Sequence, residues 1–173
     1  RENDISVYLN TRAQIANRAG AHLCVSIHHN AGGGDRGEVI YSIKGGKSQE
    51  LAFAIAEEFK NVGQIVVNTY TRRSSTGTDY YAMIRLPNMP SVITEFCFLD
   101  NEKDNDIIDT PEKRKIEGQA IARGIFRTLG ITNYILEPKS TVNWPVLQKG
   151  STGAPVKELQ TQLNKLGYKL TVD

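Results

Sequence analysis

Val25-Ser26-Ile27-His28-His29-Asn30-Ala31 is a β-type run that ends in two imidazoles and opens into a glycine-rich stretch, 31–37. Alternation along a strand sends His22, Cys24, Ser26 and His28 to one face and Leu23, Val25, Ile27 and His29 to the other. Only three histidines exist in the chain, and two of them sit at this corner. Imidazole delivered where a buried strand turns into a loop suits a metal ligand in an α/β protein, because open α/β sheets build their sites at strand ends. The plain alternative for His28 is a core histidine hydrogen-bonded at a strand end. His22 starts the strand and reads as structural. His29 points away from His28 and reads as a polar residue under the glycine-rich turn, reaching the same ion only if the strand has already ended.

A second segment, Ser91-Val92-Ile93-Thr94-Glu95-Phe96-Cys97-Phe98-Leu99-Asp100-Asn101, is apolar with one carboxylate planted in it. An acid in such a strand is costly unless a cationic partner or a function keeps it there. Between and around these two strands the pattern alternates. Ser6 is a candidate cap for a helix running to about Ala19, with Leu9, Ala13 and Ala16 on one face and Gly20 as its stop. Glu38 to Ser42 reads as a short strand. Ser48 to Lys60 carries Leu51, Ala54, Ile55 and Phe59 at helical spacing. The stretch from Asn61 to Asp79 is mixed and ends in a polar tract, 69–78, that reads as an exposed loop. Tyr80 to Arg85 reads as a strand, set off by the Pro87-Asn88-Met89-Pro90 turn. Thr110-Pro111-Glu112 combines an N-cap, a proline at the first helical position and a first-turn acid. The helix it opens should run to Leu129 with Ile116, Ala120, Ile121, Ile125 and Leu129 inward, and stop at Gly130. This order of elements predicts an α/β fold, a mostly parallel sheet with helices on both faces.

The totals bound the function classes. A formal charge of +2 on 173 residues is too weak to argue for nucleic acid. No apolar run approaches the ~18 residues of a membrane span. Cys24 and Cys97 lie in apolar strands without Cys-x-x-Cys spacing, which favours free thiols over a disulfide or a zinc site.

The motifs resemble those of the zinc-dependent N-acetylmuramoyl-L-alanine amidases of bacterial cell-wall and phage lysis systems. The ligand strand of that family is similar to Ser26-Ile27-His28 followed by Asn30-Ala31. Its catalytic strand is similar to Glu95-Phe96-Cys97-Phe98-Leu99-Asp100-Asn101 behind Met89-Pro90. Arg12 and Asn17 match a family helix pattern and read as structural. Further on, Leu147, Gly150 and Gly153, then Val156, Leu159, Gln160 and Leu163, then Leu166-Gly167-Tyr168, resemble the opening of a small helical peptidoglycan-binding domain. The resemblance implies a partial catalytic domain at 1–132, a linker at 133–143 and the start of a wall-binding module at 144–173.

The activity implied is cleavage of the amide between N-acetylmuramic acid and L-alanine of the stem peptide. Amide hydrolysis at neutral pH needs an activated water and a polarised carbonyl, which a bound Zn2+ supplies, and a carboxylate to move protons. By resemblance His28 is a zinc ligand and Glu95 the general acid/base. Asn30 and Arg85 are candidate substrate contacts; turn chemistry alone also explains Asn30. Arg72 and Arg73 could meet stem-peptide carboxylates, and a solvated loop is the plain alternative. In the family two further ligands come from a Gly-His-Gly turn and a Glu on the following helix, neither of which is in this chain. The first strand and helix are therefore expected upstream, and the fragment as written is expected not to hydrolyse its substrate. The expected partner is peptidoglycan, at the cell wall, with the protein secreted or phage-encoded as an endolysin or autolysin. No nucleic acid or membrane partner is expected, and oligomeric state stays open. Two other readings remain: a related zinc peptidase, and a non-catalytic wall-binding protein with an amidase-like fold.

Overall fold

The computed structural model describes residues 6–133, 150–165 and 171. The chain divides into two compact units, Arg1–Tyr134 and Ile135–Asp173. In the first, elements follow the order α1 (Leu9–Arg18), β1 (Cys24–Asn30), β2 (Gly37–Tyr41), α2 (Lys47–Asn61), β3 (Val67–Tyr70), α3 (Ala82–Arg85), β4 (Ser91–Phe98), α4 (Glu102–Asn105) and α5 (Pro111–Leu129). The second contains α6 (Ala154–Lys165).

The four strands form one sheet in the order β1-β4-β2-β3. β1 runs parallel to β4 and β2 parallel to β3, while β2 and β4 pair antiparallel, so the sheet is mixed. One face carries Val39, Val92 and Phe96, which pack against Leu51, Ala52, Ile55 and Phe59 of α2 and Ala120 and Ile121 of α5. The other face carries Ile40 and Ile93, covered by Ile84 of α3 with Tyr70, Tyr81 and Met83 at its margin.

α5 forms where local chemistry dictates. Thr110 accepts a hydrogen bond from the Lys113 amide, Pro111 needs no donor partner, and Gly130 closes the helix with φ of 70°. Ile116 and Leu129, expected inward, are instead exposed, at 45% and 41%. α2 and α5 approach closely at Gly124, where an added Cβ would lie 2.5 Å from Ile55 Cγ1 and 2.9 Å from its Cα.

Further expectations are corrected. α1 begins at Leu9 with Tyr8, not Ser6, at its cap, and Tyr8 offers no short side-chain acceptor, so no side-chain cap bond forms. Leu9 is exposed and Ala13 is the residue that α1 buries. Tyr80 to Arg85 is no strand: the Tyr81 carbonyl accepts from Ile84 and Arg85, forming a single helical turn ahead of Pro87. β3 and α4 were not anticipated; four residues carry too little periodicity to announce an element.

Most of the expected linker, together with Trp144 to Lys149 and Leu166-Gly167-Tyr168, lies outside the described residues. Gly150 and Gly153, with φ of 93° and 95°, precede α6. Among the described residues no helix is long and apolar enough to cross a membrane.

Candidate active site

β1, β4 and β2 bring one residue each into a row across the sheet. His28 is in register with Glu95, and Glu95 with Glu38. Residues opposite one another on neighbouring strands share a face, and neighbouring strands lie about 4.8 Å apart. His28 and Glu95 are therefore adjacent on the face that α3 only partly covers. Just beyond them β4 carries an extra residue, since Asn30 pairs with Phe98 after His28 pairs with Glu95. This bulge turns both Phe96 and Cys97 into the core and ends the regular ladder beside the row. Burial pushes the free Cys97 thiol up to about 12, as expected of a small hydrophobe rather than a nucleophile.

The bulge is held by polar groups that local sequence does not announce. The buried Gln64 amide donates to the Phe96 carbonyl at 2.8 Å and to Asp104 at 2.6 Å. The Asp104 carboxylate also accepts from the Phe98 amide at 2.6 Å and the Arg36 amide at 3.3 Å. It thus ties the end of β4 to the loop that precedes β2. The glycine-rich stretch after β1 is anchored in turn by Asp100, which accepts from the Gly32 and Gly33 amides at 2.7 and 3.0 Å.

Glu95 and Glu38 experience opposite surroundings. The buried Glu38 carboxylate accepts from Arg36 Nε at 2.7 Å, Tyr70 Oη at 3.1 Å and Asn30 Nδ2 at 3.3 Å. Glu95 is half-buried, and its Oε2 is enclosed without any hydrogen-bond partner among the described residues. Burial, and then the neighbouring charge of Glu38, raise the Glu95 pKa above the ordinary glutamate value, while His29 opposes the shift. A carboxyl so placed can hold a proton and release it when a partner arrives, as acid/base work requires.

His28 is exposed on the same face, with Ser26 Oγ 2.9 Å from its Nε2. His29 leaves by the other face and donates from Nε2 to Glu117 of α5 at 3.0 Å. That hydrogen bond, ahead of the opposing effect of burial, raises the His29 pKa. Asn30 serves the turn and the row together, accepting from the Ala31 amide and donating to Glu38. Arg85 is not brought into this row; its guanidinium is engaged by the Asp79 and Tyr80 carbonyls at 2.6 and 2.9 Å. Asn17 fastens α1 to the segment before β4 by bonding Leu86 and Asn88.

The donors present decide the fit to a metal. Among the described residues no group of three His, Cys, Asp or Glu side chains is placed to hold an ion. His28 is a single accessible imidazole, and a catalytic zinc site takes three protein ligands. The described residues do not make a complete site.

Glu38 is the member of the row that the sequence does not announce. One glutamate in a five-residue strand has no signature, and its partners come from three separate segments.

Residues 1–127 match the N-acetylmuramoyl-L-alanine amidase family. The chain is 35% identical over 127 residues to the N-acetylmuramoyl-L-alanine amidase CwlM of Bacillus licheniformis, covering 72% of this chain and 46% of that protein. It is 29% identical over 139 residues to an endolysin of Bacillus phage SPP1, covering 76% of this chain and 49% of that protein. The chain thus spans less than half the length of each of these two relatives. Among solved structures it is similar to the CwlD amidase of Clostridioides difficile, with a TM-score of 0.65, 28% identity and coverage of 76% and 74% of the two chains. It is also similar to Cwp6 of Clostridium difficile, with a TM-score of 0.68, 30% identity and coverage of 75% and 21%. From its matched residues and its fold, the chain belongs to the N-acetylmuramoyl-L-alanine amidase family.

Proposed function

We propose that this chain is the catalytic region of a peptidoglycan hydrolase that cleaves the amide between N-acetylmuramic acid and the L-alanine of the stem peptide, with Glu95 as general acid/base. The observation that carries the reading is the enclosed, unbonded Glu95 Oε2 beside the exposed His28 imidazole on one sheet face. In this reading Glu95 takes the proton of the attacking water and returns one to the departing nitrogen of L-alanine. Asn30 and Glu38 hold the strand ends on which the row depends.

Zn2+ belongs to this proposal through the family resemblance, with His28 as one ligand. When bound, it would lower the pKa of a water and polarise the carbonyl. Because the described residues offer no full ligand set, no step is assigned to the ion. The same observation favours one second reading, a wall-binding protein that keeps the fold without the chemistry. We further propose that 1–132 is the catalytic portion, 133–143 a linker and 144–173 the beginning of a wall-binding module, acting at the cell wall as an endolysin or autolysin does.

The test is Glu95→Gln in the protein at its full natural length. Hydrolysis of peptidoglycan should fall by ~10²–10⁴-fold with metal content unchanged, since the residue moves protons and is not a ligand. Loss of the metal on substitution, or unaltered activity, would remove Glu95 from the assigned role. Wall binding by a parent protein with no hydrolysis would select the second reading.

A further inference from the structure

The segment between β3 and α3 read as a solvated loop; in the structure it is a folded strap with a cation mounted on it. The Tyr80 amide donates to the Arg72 carbonyl at 2.9 Å, and Arg73 and Asp79 form an antiparallel bridge. The Ser74 amide donates to the Thr78 carbonyl at 2.8 Å, closing the tip. Of the two arginines at its base, Arg73 is engaged within the strap, donating to the Gly77 carbonyl at 2.6 Å. Arg72 behaves differently. Its guanidinium lies over the Tyr80 ring, 3.9 Å from the centroid, and one of its nitrogens donates to Tyr81 Oη at 3.4 Å. Tyr80 and Tyr81 brace each other edge to face at 5.1 Å. No carboxylate pairs with Arg72 among the described residues, and its side chain is exposed.

The position of this cation relates it to the row of His28, Glu95 and Glu38. Tyr81 packs on Ile40, Ile84 and Ile93, the cluster on the same sheet face as the row. Tyr70, at the margin of that cluster, donates to Glu38. Arg72 follows the end of β3, four residues past the Asn68 that is in register with Glu38, and Tyr81 and Tyr70 lead from its guanidinium back to the Glu38 carboxylate. Three hydrogen bonds in sequence span at most about 10 Å, the reach of about three extended residues. A planar guanidinium stacked on an aromatic ring keeps its other donors free and in a fixed plane, the arrangement suited to a bidentate carboxylate.

We propose that Arg72, held on Tyr80 and Tyr81, is a carboxylate-binding subsite beside the row on this sheet face and selects stem peptides that bear a free carboxylate a few residues from the muramoyl amide. The inference rests on the amidase reading above and adds to it a specificity-determining residue. Arg73 takes no part in it.

The test uses the protein at its full natural length and two synthetic muramoyl tripeptides that differ only in carrying free or amidated carboxylates, with affinity measured by calorimetry. The parent chain should prefer the free acid by about tenfold, the scale of one charge-assisted contact. Arg72→Gln should abolish the preference while leaving affinity for the amidated peptide unchanged. Tyr80→Leu, which removes the platform and keeps the charge, should reduce the preference, and Arg73→Gln should retain it. Equal binding of both peptides by the parent would overturn the subsite and leave the amidase reading intact, as would a preference that survives Arg72→Gln. Binding of neither peptide would overturn the muramoyl-peptide reading and the subsite with it.

Discussion

Asp100 shows how a single exposed carboxylate organises the approach to the row. It accepts from two successive glycine amides, and these bonds, Gly32 foremost, hold its pKa below the ordinary aspartate value. The direction of the linkage follows from the sign of that shift. A depressed carboxylate stabilises the fold above its unfolded pKa, and the contribution is lost as pH falls through the folded value. We therefore expect the Gly32 and Gly33 amide resonances to titrate with a midpoint below the ordinary aspartate range, and Asp100→Asn to remove that titration. A midpoint in the ordinary range would mean that the anchoring is weaker than the geometry states. At this scale the sequence singles out His28 and Glu95 as candidates because each is a polar intrusion at the end of, or within, an apolar strand. It did not reveal Glu38, Gln64 or Asp104, whose importance comes entirely from partners distant along the chain. Nor could it separate Arg72 from Arg73, since adjacent arginines in a polar tract differ only in what the folded strap offers each.

Among the elements, α2 and α5 supply the most direct test of packing. Gly124 on α5 faces Ile55, and an added methyl would meet backbone as well as side chain, at 2.9 Å from Ile55 Cα and N. Backbone cannot move aside cheaply, so Gly124→Ala should destabilise the fold by about 1–3 kcal/mol through overpacking. Gly118, six residues earlier on the same helix, has open space where its Cβ would be. There the substitution should stabilise by about 0.5–1 kcal/mol, because glycine in a helix interior carries an entropic cost that alanine does not. Urea denaturation of the two variants checks both signs, and equal effects at the two positions would contradict the close approach of α2 and α5 at Gly124. α5 was legible because its cap, its proline and its stop are local. α3 was not. Its six-residue run from Tyr80 suits a strand, and the helical turn is fixed by contacts with Ile40 and Ile93 and by the Arg85 guanidinium reaching back to Asp79 and Tyr80.

For the whole molecule, alternation of strands and helices foretold an α/β architecture, while the antiparallel pairing of β2 with β4 depended on chain order in the sheet, which periodicity does not encode. That pairing is what completes the row: Glu38 reaches Glu95 only because β2 lies against β4 and not against β1. Product analysis identifies the bond that is cut. The protein at its full natural length, supplied with Zn2+, would be incubated with a muramoyl tripeptide and the products resolved by mass spectrometry with amine labelling. Amidase cleavage yields one new amine, on L-alanine, and a muramic acid product with a free lactyl carboxylate. A new amine on a later residue of the peptide, as a peptidase would leave, would contradict it.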